Sequence, residues 1–441
     1  MSARALLTTL AVGAAGAAAI GWAATRERAF EPRFEGRPPN VLFLSVDTLR
    51  ADHMGMYEYE RNTSPKLDAW AEDAVIFDNA QASASWTLPG LATVLTSYYT
   101  STHRCWTFNS RLDPSVPTLP EILRDAGYDT MAVTSHVFLA RRYGLQQGFV
   151  HFDDEFAHPV DDPTTVITSE MVSDKGIRFL EEKAATSDET PWLLWLHYFD
   201  PHGQYNVHEG ISEEFGVGEE VDRYDGEIKF TDLHIGRVLD RMTELGLDED
   251  TIVVFFSDHG EEFLDHGGAR HGHALWRELV RVPLVIKIPG VEPRRVSELV
   301  RTVDILPTVL DYVPPLLPPN DIEGVSLRSF LEGRAGRDLP ALAEIRLQEA
   351  SSLDSIMKGR WKLIVDSISG AVQLYDTVDD PLEKTDVAAE HPDVVEQLKE
   401  TLRLMIVRAR DRGARFDQAE VLGLTETQKH QMESLGYLGG D

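Results

Sequence analysis

The stretch Val253-Val-Phe-Phe-Ser-Asp258-His259-Gly260 constrains the fold more than any other part of the chain. Its unbroken apolar run reads as a strand covered on both faces, the habit of strands inside a parallel sheet. An aspartate and a histidine stand where the strand ends, and ligands of such sheets collect just beyond the carboxyl ends of the strands. Val41-Leu-Phe-Leu-Ser-Val-Asp47 repeats the pattern, a second buried strand ending on a carboxylate. Two strand-end carboxylates and a histidine make a ligand set for a hard or borderline cation. Successive side chains of a regular strand point to opposite faces, so Asp258 and His259 can share one ion only if the chain turns there. Gly260 is placed to allow that turn.

The 441 residues give room for one large domain and a smaller one. A formal net charge of -31, from 73 acidic and 42 basic residues, argues against nucleic acid as a partner. An anionic substrate would need local positive charge, from a metal or a few arginines, to overcome that field. Arg141 and Arg142 could supply such charge near a pocket, although surface solvation accounts for them better. The single cysteine, Cys105, excludes an internal disulfide and a cysteine-rich metal cluster. Residues 5–25 are almost wholly apolar and rich in Ala and Gly, with Arg4 before them and Arg26 and Arg28 after. That order predicts a signal peptide or membrane anchor over residues 1–28, and so an exported protein at the periplasmic or extracellular face. A proline-bearing linker follows over 29–39.

Between the two strands lies Ser83-Ala-Ser-Trp-Thr87-Leu-Pro89-Gly90-Leu, whose later part predicts a helix from about Gly90. A hydroxyl at a helix start sits among free backbone N–H groups, which suit a tetrahedral oxyanion. Helices are expected over 67–74, 166–183, 224–245 and 391–410. Trp192 to His197 read as a third strand, with Asp200 and His202 just beyond it. Asp200 and His197 are weaker candidates for a second metal site. Four histidines, His259, His266, His271 and His273, follow the opening strand. Short strands over 360–365 and 372–376 read as a hairpin. The chain therefore divides into a catalytic domain at 40–345, a C-terminal subdomain at 346–411 and a tail at 412–441.

Taken in order, these parts resemble the sulfatase family of the alkaline phosphatase superfamily, over roughly residues 38–400. The resemblance implies an α/β fold with a central mostly parallel sheet flanked by helices, and a small C-terminal subdomain. It implies one divalent cation (Zn, Mn or Ca) held by Asp47, Thr87, Asp258 and His259. Aligned on Leu95-Thr96-Ser97, the family's modified cysteine falls on Thr87 and its helix arginine on Leu91. Thr48 stands where a second aspartate is common. The pocket lysine would fall near Ser135, and His136, one place out of register, is a substrate-binding candidate. His103 matches a structural histidine.

Threonine cannot be matured to the aldehyde hydrate that sulfatases use. Thr87 instead resembles the threonine nucleophile of superfamily phosphodiesterases and phosphoethanolamine or glycerophosphate transferases; a helix-capping role is the alternative. His202 matches the histidine that protonates or stabilises the leaving group. In this branch one histidine of His-Gly-His faces the transferred group. His273 is the narrower catalytic choice, because His-x-x-Trp would place it on the inner face of a short helix, and His271 is the substrate-binding one. The expected function is metal-dependent hydrolysis of a phosphodiester or phosphonate monoester. Sulfuric ester hydrolysis, phospho-group transfer and a non-catalytic binding protein stay open beside it. The expected partner is a small anionic ester or a lipid or glycan head group.

Overall fold

The computed structural model describes residues 34, 37–157, 167–346 and 352–434, so the expected N-terminal export segment lies outside the described residues. Among them no helix is long and apolar enough to cross a membrane. The strands begin with β1 (Asn40–Val46), β2 (Val75–Gln81), β3 (Asp129–Val133), β4 (His151–Asp153), β5 (Trp192–Tyr198) and β6 (Thr251–Ser257). Next come β7 (Glu262–Phe263), β8 (Ala269–Arg270), β9 (Arg281–Val282), β10 (Leu284–Lys287) and β11 (Arg294–Arg301). The last four are β12 (Ala341–Ile345), β13 (Leu353–Lys358), β14 (Trp361–Asp366) and β15 (Val372–Asp376).

The main sheet runs β11-β2-β10-β6-β1-β5-β3-β4, with β9 added beside β2. β1 pairs in parallel with both β5 and β6, and only β10 and β9 run against their neighbours. The three apolar runs thus occupy the middle of the sheet, and β5 and β6 are buried along their whole length. This is the central, mostly parallel sheet that the sequence predicts. Pro283 interrupts the last apolar run, so it forms β9 and β10 as two pieces, as a missing ladder donor requires.

Helix α1 (Pro65–Ala71) is capped from outside itself: Asp232 accepts from the backbone N–H of Lys66 and Leu67 at 3.0 and 2.8 Å. Asp232 belongs to the long helix Glu220–Glu244, which starts a turn earlier than its apolar spacing suggests. Helix α2 (Thr87–Thr96) also starts earlier, three residues before Gly90, and all of it is buried. Pro89 falls in its first turn, where no backbone N–H is needed. Gly90 lets α2 approach β6: a Cβ there would stand 2.9 Å from the Asp258 carbonyl oxygen. Gly260 turns out to supply room as well, since its Cβ would collide with the Glu278 carbonyl and its backbone lies outside the left-handed region.

Strands β12 to β15 form a separate antiparallel sheet. Leu342, Ile356, Leu363 and Leu374 on its inner face pack against Val395, Leu398, Leu402 and Ile406 of α3 (Pro392–Gly413), at helical spacing. Glu344 of β12 is buried, and it accepts from the Ser101 backbone N–H at 2.9 Å and the Ser101 hydroxyl at 2.5 Å. Burial, helped by Asp354, pushes its carboxyl up to about 7 from an ordinary 4.5. The folded state therefore holds this proton more tightly than the unfolded chain, and its contribution to stability falls as pH rises from 4.5 through 7. Glu344→Gln should gain about 3 kcal/mol of stability relative to the native chain across that window. Urea denaturation at pH 4.5 and 7.5 measures it, and a pH-independent difference between the two proteins would refute the assignment.

Candidate active site

Asp47, Asp258 and His259 emerge from the carboxyl ends of β1 and β6, as the two apolar runs predict, and Thr87 opens α2 beside them. All four are completely buried. Thr87 Oγ1 lies 3.5 Å from Asp47 Oδ2 and 3.3 Å from His259 Nε2. His259 Nε2 lies 3.3 Å from Asp47 Oδ1 and 3.5 Å from Asp258 Oδ2. Thr87 does not cap its helix: it is the first helical residue, and the N-cap position is Trp86, with no side-chain cap bond.

The protonation pattern of this group is that of a cation site. His259 Nδ1 donates to the Gly260 carbonyl at 2.9 Å, so Nε2 is the nitrogen that faces the oxygens of Thr87, Asp47 and Asp258. Asp47 Oδ1 and both oxygens of Asp258 are buried without a hydrogen-bond partner. Burial opposes the charge on Asp47, but His136, His197 and His259 overcome it and hold that carboxyl well below the usual range. Burial and the Asp47 charge drive Asp258 well above it. Burial lowers His259, yet Asp258 and Asp47 outweigh it and raise the imidazole to about 9. Without an ion the cluster must borrow protons to remain buried; a divalent cation would satisfy the same orphaned oxygens directly. One ligand atom from each of Asp47, Asp258 and His259 falls within 4.8 Å of the others, so the residues present fit such an ion.

A ring of histidines surrounds the group. His136 accepts from the Phe138 N–H through Nδ1 (3.1 Å) and places Nε2 3.9 Å from Asp47. His202 is fixed by Nδ1 donating to the Gly203 carbonyl at 3.1 Å and by stacking on Phe199. Its ring stands 5.2 Å from His136 and 4.8 Å from His271. His271 in turn is 4.6 Å from His259. Burial holds His136 and His271 well below the ordinary imidazole value and lowers His202 to about 4.

His273 goes elsewhere. Its Nε2 bonds Glu262 at 2.7 Å, its side chain is a third exposed, and the expected short helix begins only at Arg277. The chain is pinned at Gly272, whose N–H donates to the Ser85 carbonyl (2.8 Å), two residues before Thr87. That bond brings the preceding histidine, not the following one, to the centre.

Asp200 accepts from Thr168 and Ser169 at the start of the helix Ser169–Ala185, so it serves the fold. His103 bonds Thr93 and the Cys105 N–H, and serves the fold too. Arg141 bonds Asp154 and the Phe152 carbonyl, and Arg142 bonds the Gly423 carbonyl. Leu91 is buried apolar packing. Thr48 takes a left-handed backbone, unusual for a β-branched residue, and its hydroxyl is buried without a partner.

Two neighbours of the cluster had no clear signal in the sequence. His197, a sequence candidate for a second metal only, faces Asp47 at 3.4 Å through Nε2 and bonds the Ser45 hydroxyl through Nδ1 at 2.8 Å. Glu261 is buried, bonds His271 Nδ1 at 2.9 Å, and accepts from the Tyr205 hydroxyl at 2.9 Å.

A buried oxygen-and-imidazole cluster at the strand ends of a mostly parallel sheet, with a hydroxyl at a helix start, defines an ester hydrolase of the alkaline-phosphatase-like class. The chain belongs to the sulfatase family, which it matches over residues 39–314; residues 271–408 also match the C-terminal region of N-sulphoglucosamine sulphohydrolase. It is 28% identical to an ulvan-active sulfatase of Formosa agariphila over 68% of this chain and 66% of that one. It is 23% identical to an N-acetylgalactosamine-6-O-sulfatase of Bacteroides thetaiotaomicron, covering 84% of this chain and 93% of the relative. Among solved structures, the phosphonate monoester hydrolase of Agrobacterium radiobacter superposes with a TM-score of 0.70, at 22% identity, over 84% and 96% of the two chains.

Proposed function

We propose that the chain is a metal-dependent ester hydrolase with Thr87 as nucleophile, acting on a phosphodiester or phosphonate monoester. The observation that carries this reading is the position of Thr87 Oγ1, at a buried helix start within 3.5 Å of both Asp47 and His259. Asp47, Asp258, His259 and Thr87 would hold one divalent cation. When bound, that ion would lower the pKa of the hydroxyl and offset the charge of the substrate's non-bridging oxygens. The N-terminal amides of α2 suit the same oxygens. Thr87 Oγ1 attacks phosphorus and gives its proton to the surrounding imidazoles, the bond to the leaving alcohol breaks, and His202 or His271 passes that proton to the departing oxygen. Water then attacks the phospho-threonine and returns the hydroxyl.

A sulfate ester is the second reading, favoured by the names of the relatives. Against it stand the threonine itself and histidines where the family carries a pocket lysine. A lipid or glycan head group is a suitable organic part, and export through residues 1–28 is part of the same proposal.

The test is intact-protein mass and metal content after brief incubation with an aryl phosphodiester and, separately, an aryl sulfate. The expected result is a phosphoryl-type adduct on Thr87, with about one ion per chain, from the phosphodiester alone. Folded, metal-loaded protein that gave neither adduct nor turnover would remove the catalytic reading. A second variant probes the supporting shell. Glu261 fixes His271 through Nδ1, so Glu261→Gln should lower kcat about 10- to 100-fold with little change in KM. A kcat at the native level would show that the Glu261–His271 bond does not position the imidazole.

A further inference from the structure

We propose that a cavity of about 530 Å3, lined by none of the Asp47 cluster, is a binding site for an oxyanion carried on a ring with an apolar C–H face, such as a sugar acid or a sugar sulfate. It lies where the C-terminal end of α3 meets the turn Thr100–His103 that follows α2. Its walls are Ser101, Arg104, Trp106, Arg346, Arg410 and the backbone around Gly413.

Charge is the first argument. In a chain with a net charge of -31, the described residues of this lining include three arginines and no acidic residue. The Arg410 side chain makes no ion pair or hydrogen bond among the described residues. Arg104 spends its guanidinium on the carbonyls of Gly413 and Phe416, neither of which cancels a charge. Only Arg346 has a counter-ion, Asp354 at 2.5 Å. A smaller cavity of about 140 Å3 shares Arg104 and Trp106 and adds Arg111, but Asp113, Asp417 and Glu420 line it too, so the excess of positive charge belongs to the larger cavity. An acidic protein disfavours anions over most of its surface, so a local excess of guanidinium is where one would settle. Guanidinium offers the planar fork that matches carboxylate and sulfate oxygens.

The second argument is shape. Trp106 supplies a flat aromatic wall, and the Arg346 guanidinium already stacks 5.5 Å from its ring centroid. A bare ion would leave that ring unused. A ligand with both a ring and an oxyanion uses all of the wall. The cavity is also tied to the frame of α2. Ser101 on its wall donates to Glu344, whose backbone N–H reaches the Ser83 carbonyl, four residues before Thr87. The proposal does not depend on what Thr87 does.

Calorimetric titration of the full chain with glucuronate, glucose and inorganic sulfate tests it. Glucuronate should bind at least tenfold more tightly than either glucose or sulfate, and Arg410→Ala should weaken it about tenfold. Arg410 is exposed and partnerless, so its removal leaves folding intact. Trp106→Phe should erase most of the tryptophan fluorescence change that glucuronate produces. Equal affinity for glucose, equal affinity of Arg410→Ala, or no binding to the native chain at tens of millimolar would each overturn the proposal.

Discussion

Thr87→Ala is expected to lower kcat/KM for an aryl phosphodiester at least about a thousandfold while leaving the protein as stable as before. The two halves of that result come from the same geometry. In the proposed constellation the carboxylates and His259 hold the cation and the other histidines move protons, so the hydroxyl alone is assigned the attack on phosphorus. Its structural value is small, because it caps no helix and lies beside Asp47 and His259 in a crowded polar cluster. Removing an oxygen from such a site costs little and can stabilise, as at other strained functional positions. A residue that merely capped the helix would behave in the opposite way, losing about 1 kcal/mol and no activity. Thr87→Ser keeps the hydroxyl and should retain measurable turnover. Kinetics and thermal denaturation on the three proteins decide it: full activity in Thr87→Ala would end the nucleophile reading.

How much of this was legible in the sequence depended on whether a signal was local. β1, β5 and β6 were plain because strands covered on both faces need unbroken apolar runs, and Asp47, Asp258 and His259 followed from where those runs stop. The start of α2 was placed three residues late. Thr87-Leu88 precedes a proline, and a residue in that position is biased away from the helix. Burial of the entire helix against β6, with Gly90 at the contact, overrides the bias. The choice between His271 and His273 rested on two residues of spacing, and a hydrogen bond from Gly272 to Ser85, 187 positions away, decides it. His197 was hidden for a similar reason. It stands beside Ser45 only through the β1–β5 register, and Ser45 lies on the same face of β1 as Asp47. Glu261 follows Gly260 directly, but nothing local says that its partner is ten residues on.

Lys362→Met should destabilise the protein by about 3–5 kcal/mol, the second large effect expected here. Lys362 on β14 and Glu383 are both almost wholly buried, with the ammonium 2.8 and 2.9 Å from the two carboxylate oxygens. Burial lowers the lysine from its ordinary value, so the ammonium is retained at the expense of its hydration and by virtue of Glu383. Without it, Glu383 becomes a buried carboxylate whose remaining side-chain partner is the Arg277 backbone N–H at 3.0 Å. The damage should reach the candidate site. The Glu383 carbonyl also bonds His266 Nε2 (2.8 Å), and His266 stacks on Trp276 and bonds Glu278. The loop held in this way carries His271. Turnover should therefore fall more than the loss of folded protein explains, and hydrogen exchange should quicken over 262–278. Lys362→Met combined with Glu383→Leu should recover part of the stability, short of the full amount, since the Arg277 N–H loses its acceptor. Urea denaturation of the single and double variants measures all of this. A loss below about 1 kcal/mol for Lys362→Met would mean that the pair neither supports the fold nor holds the histidine loop in place.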